Sequence, residues 1–300
     1  MSELDIGELL ADQIRRLMEE TGPDQHDAAV LWPRLLDLGL DRALISEGAG
    51  GQGLEWADLV APLVAWGGYA APAPLAEALV GGWLLDLGGF SAPDAPVVLE
   101  GYDSTPEEAW TLTSRRTDEG DRLSLTSPSG DTEQRMIATG LAQAGLAVAL
   151  AAQIAGALQR SLELSVDHAS ARTQFGRPLG KFQSVQRLAA DLGLAATATR
   201  AAVDLGISLL PHDPLLAASI AKGRASRAVG IGTACAHQIH GAIGVTEEYP
   251  LHRLTMAMWR WRDVAGDEFA WGDALARRYL PTAERLWPVL IDDWDRGTRP

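Results

Sequence analysis

Three hundred residues, 47% of them hydrophobic, can bury a large core in one domain or in two to three smaller ones. Forty acidic residues against 25 basic ones leave a formal charge of −15, whose field repels phosphate backbones and anionic bilayers and so excludes loose binding to nucleic acid or to a membrane surface. A small phosphate-bearing ligand is still compatible with that charge, because a few local arginines outweigh the average.

The amino terminus, Met-Ser-Glu-Leu-Asp, has no basic stretch leading into an apolar run, so we expect no signal peptide. Ile6, Leu9, Leu10, Ile14 and Leu17 recur at helical spacing, and a second helix is expected over about 26–38, ended by Gly39. Glu47 to Gly53 is glycine-rich but has neither a preceding apolar strand nor a phosphate-binding lysine. We therefore read it as a flexible connection between helices and not as a nucleotide loop. Helices follow over 55–67 and 73–87, the second entered through Pro72 and Pro74, with Trp32, Trp56, Trp66 and Trp83 as packing anchors.

The character changes after residue 88. Val97-Val98-Leu99, Trp110 to Thr113 and Leu123 to Leu125 are short strand-like pieces separated by Pro, Gly, Asp and Ser. This interval is too short for an ample barrel and is read as a small sheet or a partly ordered covering. We divide the chain into an N-terminal helical domain (1–88), a reduced β or linker region (89–136) and a C-terminal helical bundle (137–300).

The bundle begins with a helix from about 138 to Ala171. Its apolar stretch, Gly140 to Leu158, contains Gln143 and Gln153 and runs on into charged sequence, so it is read as a buried core helix and not as a transmembrane segment. A second helix is expected from Phe182 to about Leu210. His212-Asp213-Pro214 supplies a cap and a first-turn proline for a third, reaching Ile239, and a last long helix starts near Gly266. Segments of this length with short loops predict an antiparallel bundle. Cys235 is the one cysteine; it excludes an intrachain disulfide, suits a reducing cytoplasm, and in its alanine-rich setting reads as a small buried hydrophobe.

Two clusters in this part can touch a ligand. Arg172 and Phe175, three apart at a helix end, can share a face, with the guanidinium clamping a pyrophosphate and the ring covering a planar group. Spacing alone favours an exposed arginine beside a core phenylalanine. Gly241, Ala242, Ile243 and Gly244 form a turn after a helix where backbone can approach a phosphate closely, and Gln238 precedes it as a donor or acceptor. His237 and His240 lack a further nearby His or Cys, so no metal site is expected. Trp259 and Trp261 are open to either core packing or pocket lining.

The run Arg172-Thr-Gln-Phe175-Gly176 through Gln186, with Gln238-Ile-His-Gly241-Ala-Ile-Gly244 and Glu248-Tyr-Pro250, resembles the acyl-CoA dehydrogenase family, strongly over about 140–280 and moderately over 25–88. The resemblance implies a mostly α fold with an N-terminal helical domain, a strongly shortened middle β region and a C-terminal antiparallel four-helix bundle. It also implies FAD shared at a subunit interface, held by Arg172, Phe175, Gln238, Gly241, Ala242 and Gly244, with Ala242 standing where the family has a second glycine. The reaction implied is α,β-dehydrogenation of an acyl-CoA thioester, in which a carboxylate removes the α proton and the flavin accepts a hydride from the β carbon.

The catalytic carboxylate does not follow. Counting without a gap from Tyr249-Pro250 puts Val264-Ala265-Gly266-Asp267 opposite the family's Tyr-Glu-Gly-Thr, and Ala265 has no ionisable group. Counting back from Arg172 puts Leu146 opposite the family's alternative base position, and Met256 and Ala257 replace an Arg-Asp pair. The family's β domain, with its Thr-Glu-Pro and Gly-Ser-Asp type segment, is also missing. Asp263, Asp267 and Glu268 are the remaining carboxylates near the position. The resemblance therefore implies a base-lacking subunit completed by a full-length homologue, which holds the acyl-CoA at its own site in an α2β2 heterotetramer, with a bulky steroid side chain as one substrate. Two other readings stay open: a self-sufficient flavoenzyme with a relocated base, and a flavin-free structural or binding protein on the same fold.

Overall fold

The computed structural model describes residues 5–22, 27–100 and 108–280. Helix α1 (Ile6–Thr21) starts where Asp5 Oδ1 accepts from the amides of Gly7 and Glu8, at 3.0 and 3.3 Å. Leu10, Ile14, Leu17 and Met18 are buried. Ile6 and Leu9, expected on the same face, lie exposed at its edge. Helix α2 (Ala28–Asp37) is capped by Asp27, and Gly39, left-handed at φ 70°, stops the chain as expected. Its expected first residue, 26, lies outside the described residues.

The glycine-rich segment is a compact loop, not the flexible connection its composition suggested. Gly51 N donates to Ser46 O at 3.0 Å, Gly53 N to Ile45 O at 2.8 Å and Leu54 N to Ala43 O at 2.9 Å. Its donors are thus used within the loop itself. A 3-10 turn, Trp56–Leu59, leads into α3 (Val60–Gly68), and α4 (Leu75–Leu87) completes the N-terminal helices.

The middle of the chain is an ordered four-stranded sheet in the order β1 (Val97–Leu99), β2 (Trp110–Arg116), β3 (Asp121–Thr126), β4 (Thr132–Ile137). The β1/β2 pair is parallel and the others antiparallel, with Leu112 opposite Leu125 and Ser114 opposite Leu123. Leu112, Leu123 and Leu125 are buried, giving the sheet one apolar face. Strand β4, Thr-Glu-Gln-Arg-Met-Ile, is almost entirely exposed and carries no alternating pattern, so periodicity could not reveal it. Asp121 Oδ2 accepts from Gly140 N at 2.8 Å, fastening the sheet to the start of the bundle.

That bundle consists of α5 (Leu141–Ala171), α6 (Gln183–Leu209), α7 (Pro214–His240) and, as its fourth member, α8 (Pro250–Asp263) followed by α9 (Glu268–Tyr279). Helix α5 is its axis, packed against α3, α6, α7 and α8. Backbones of α3 and α5 touch through two glycines: a Cβ on Gly67 would stand 2.0 Å from Gln153 O, and one on Gly156 would stand 1.9 Å from Val64 O. The apolar window of α5 is 89% buried, as its reading as a core helix requires. Helix α6 is also long and apolar enough by composition to cross a membrane, yet only 39% of its window is buried, which leaves an apolar face open.

The expected last helix starts where the sequence placed it, near Gly266. Ala265 (φ 60°) and Gly266 (φ 93°) are both left-handed, and Asp267 Oδ1 then accepts from the amides of Phe269 and Ala270 to start α9. The fold is therefore mostly α, with a reduced central sheet and a C-terminal four-helix bundle, the layout that the sequence resemblance implies.

Candidate functional site

At the end of α5, Arg172 enters a two-residue hairpin, Thr173–Gln174 (β5) paired with Arg177–Pro178 (β6). Phe175 (φ 52°) and Gly176 (φ 79°) form its turn, the double left-handed geometry that suits a tight hairpin. Phe175 is not a core residue: it is 89% exposed, with only an edge contact to Phe182 at 6.2 Å between ring centroids. Arg172 is also exposed.

At the end of α7, Gln238 is exposed and Gly241 has a left-handed φ of 64°. Nothing lies within 4 Å of a Cβ built on Gly241, so the backbone there is open to an outside group. Residues Gly241–Val245 make a 3-10 turn in which Ala242 is exposed and Gly244 buried. A Cβ on Gly244 would stand 2.9 Å from His240 Cβ, so this glycine serves the packing of the turn on its own helix.

Imidazoles tie the two clusters together. The rings of His168 and His240 stack, with centroids 4.7 Å apart. His240 Nδ1 lies 2.8 Å from Ala236 O and its Nε2 lies 3.1 Å from Tyr249 Oη, so both ring nitrogens are engaged. Burial, then the neighbouring His240 and Arg172, hold His168 below the ordinary histidine range. His168 stands four residues before Arg172, one helical turn away, a spacing the sequence carries but gives no reason to single out. His237 turns elsewhere, its Nε2 lying 3.2 Å from Thr255 Oγ1, and among the described residues no three metal-ligating side chains gather.

The second feature is a cavity of about 300 Å³ where the sheet meets the start of α5. Ala265 and Leu146 both line it, so the two positions that correspond to the family's base face one space and neither carries an ionisable group. Met256, nearby in sequence, is exposed, while Ala257 is buried. The remaining carboxylates are committed elsewhere. Asp267 caps α9, Glu268 takes a two-point ion pair from Arg262 at 3.1 and 3.2 Å, and Asp263 is solvent-facing, 3.9 Å from Arg262 Nη1. None of the three lines the cavity. Glu100 and Asp121 do line it, brought there by the strand register, which no sequence spacing announces. Trp261 is core, and Trp259 is partly exposed beneath the Arg262 guanidinium at 5.0 Å.

The loop bearing Ala265 is tightly held. Lys222, fully buried, donates through Nζ to Trp261 O and, at 2.7 Å, to Val264 O. Burial first, against the pull of Asp263, Asp267 and Glu77, brings its ammonium down to about 7.

Residues 139–273 match the family described as acyl-CoA dehydrogenase, C-terminal domain, a span that includes both outward clusters and Ala265. Acyl-CoA dehydrogenase IpdE2 of Mycobacterium tuberculosis is 30% identical over 252 residues, covering 74% of this chain and 78% of that protein. The chain belongs to the acyl-CoA dehydrogenase family. Among solved structures of this acyl-CoA dehydrogenase fold, the ChsE4-ChsE5 complex from Mycobacterium tuberculosis superposes with a TM-score of 0.80 at 18% identity, over 94% of this chain and 99% of the compared one. The Tcur3481-Tcur3483 steroid ACAD gives a TM-score of 0.71 at 23% identity, over 89% and 96%.

Proposed function

We propose that this acyl-CoA dehydrogenase family member is the base-lacking subunit of a heteromeric FAD-dependent acyl-CoA dehydrogenase. The observation that carries the reading is the cavity shared by Ala265 and Leu146, inert at both positions. Of the carboxylates that also line the cavity, Asp121 is engaged by Gly140 N at 2.8 Å and Glu100 stands at neither family base position, so the chain contributes to dehydrogenation by binding and positioning.

Arg172, Phe175, Gln238, Gly241 and Ala242 are exposed, and Gly241 leaves room for close approach, so these residues fit a cofactor presented from outside the chain. They would hold FAD at the subunit interface: Arg172 on the pyrophosphate, Phe175 against a flat ring, Gln238 on a sugar or base, and the turn ending at Gly244 offering backbone amides. When bound, FAD supplies the hydride acceptor for α,β-dehydrogenation of an acyl-CoA thioester. The His168–His240 stack fixes the relative position of the two clusters.

A full-length homologue supplies the β domain, the carboxylate base and the acyl-CoA site in an α2β2 heterotetramer, and the open apolar face of α6 supports such an assembly. A bulky steroid acyl-CoA is the substrate class most in keeping with the shortened middle region and with the likeness to a steroid ACAD. Purification of the chain alone and together with a full-length homologue tests the reading. We expect FAD and acyl-CoA oxidation in the complex only. Stoichiometric FAD with turnover by the chain alone overturns it, and a stable complex devoid of FAD points to a structural role instead.

A further inference from the structure

The outer face of the sheet carries a charge arrangement that its inner face avoids. On the inner face the strand register sets Arg116 opposite Asp121, and the opposite charges meet at 4.0 Å. One residue along, on the outer face, it sets Arg115 opposite Arg122. Like charges placed directly across a strand pair are destabilising. Both arginines are exposed, and among the described residues no carboxylate pairs with either, Asp118 and Glu119 in the turn of the same hairpin included. Other exposed arginines are matched: Arg15 with Glu8 and Asp12, Arg160 with Glu163, and Arg200 with Asp204.

The rest of the face is polar and free of acid. Met136 stands abreast of Arg122; Thr113, Ser124 and Gln134 form the next row, and Thr111, Thr126 and Thr132 the row after. No Asp or Glu stands in these rows, although the chain holds 40. Successive rows lie about 7 Å apart, twice the strand rise, which is also the spacing of alternate side chains in an extended peptide. A carboxylate held by the arginine row therefore leaves the side chain two residues on over the hydroxyl and amide groups of the next row. Small-molecule sites are concave, and an open sheet face is not. Charges more than about 8 Å away are screened at physiological ionic strength, so a short acidic segment meets the two guanidiniums and not the net charge of −15. A nucleic acid or an anionic bilayer, laid over a wider area, meets that charge as well.

We infer that the outer face of the sheet docks an extended acidic segment of another protein, with Arg115 and Arg122 together clamping an Asp or Glu side chain. Guanidiniums take carboxylates bidentately, and a carboxylate between these two offsets their repulsion. The surface lies on the opposite side of the sheet from the Ala265 cavity, which Ser114, Arg116 and Asp121 line from the inner face. It stands whether or not the chain joins a dehydrogenase complex.

Fluorescence anisotropy of a labelled hexaglutamate peptide titrated with the full chain at physiological ionic strength tests this. We expect saturable binding, weakened at least about tenfold in Arg115→Gln/Arg122→Gln, the value of one charge-assisted hydrogen bond. Arg16→Gln/Arg187→Gln removes the same net charge from exposed positions on α1 and α6 and is expected to leave binding unchanged. Arg115→Gln alone is expected to raise the urea midpoint of the unliganded chain by relieving the repulsion. No saturable binding, or the same affinity in both double variants, overturns the site. A urea midpoint lowered by Arg115→Gln shows that the pair serves the sheet itself, and overturns it too. Tighter binding of a single-stranded oligonucleotide or of phosphatidylserine vesicles than of hexaglutamate overturns the polypeptide class. Concentration-dependent dimers in sedimentation, lost in Arg115→Gln/Arg122→Gln, make the occupant a second copy of this chain and overturn the foreign partner.

Discussion

Trp271 Nε1 donates to the carbonyl of Ala265 at 3.1 Å, across the break between α8 and α9. From the other side Lys222 holds Val264 O, so the loop is over-determined and keeps a left-handed alanine in place. That conformation costs an L-residue with a Cβ about 1–2 kcal/mol, and glycine adopts it freely. Ala265→Gly is therefore expected to be neutral or to stabilise by up to about 1 kcal/mol in urea unfolding, once glycine's greater unfolded-state entropy is counted. Turnover of the complex is expected to stay unchanged, and a large drop in kcat would show that the Ala265 side chain has a role in the chemistry.

The three carboxylates nearest Ala265 in sequence, Asp263, Asp267 and Glu268, separate a base-lacking subunit from an enzyme with its base relocated along this loop. Asp263→Asn, Asp267→Asn and Glu268→Gln each remove a possible proton acceptor, and Asn still caps a helix about as well as Asp. We expect all three variants to retain the turnover of the wild-type complex, with Glu268→Gln losing up to about 1 kcal/mol of stability as its partly exposed pairing with Arg262 weakens. A loss of two or more orders of magnitude in kcat from any of them would identify a relocated base.

How far the sequence carried the fold depends on the element. The three long helices announced themselves through caps and length: Asp213-Pro214 opens α7, and Gly241 ends it. The start of α9 near Gly266 was legible, but the left-handed geometry of Ala265 was not, because alanine is an ordinary helix former and the loop is held by Trp271 from the next helix and by Lys222, remote in sequence. Strand β4 was hidden because an exposed edge needs no alternation. At the candidate site the outward cluster residues were legible as motifs, but the His168–His240 stack and the arrival of Glu100 and Asp121 beside Ala265 were not. Those depend on helix packing and strand register, which spacing along the chain does not encode.

Arg172 is exposed at the base of the hairpin, and its removal takes little from the core. Arg172→Ala is therefore expected to leave unfolding within about 0.5 kcal/mol of wild type while lowering the flavin content of the purified complex several-fold. Absorbance of released FAD per complex measures this directly. Intact flavin content in the variant would remove Arg172 from the cofactor-binding residues.

The buried pair Glu77 and Lys222 gives stability a distinctive pH dependence. Burial raises the Glu77 carboxyl from 4.5 to about 7, so between those values the folded chain holds a proton that the unfolded chain has released. Its contribution is fully present below 4.5 and is lost as pH rises through 7. Burial lowers the Lys222 ammonium from 10.5 to about 7, so between 7 and 10.5 the unfolded chain binds the extra proton and stability rises with pH. The two slopes oppose each other and give the pair's joint contribution a minimum near pH 7. Urea midpoints across both windows, taken as differences between wild type and variant, isolate each limb. Glu77→Gln is expected to flatten the falling limb and leave the rising one, and Lys222→Met to do the reverse. A wild-type curve parallel to both variants throughout would mean that neither group changes its proton affinity on folding.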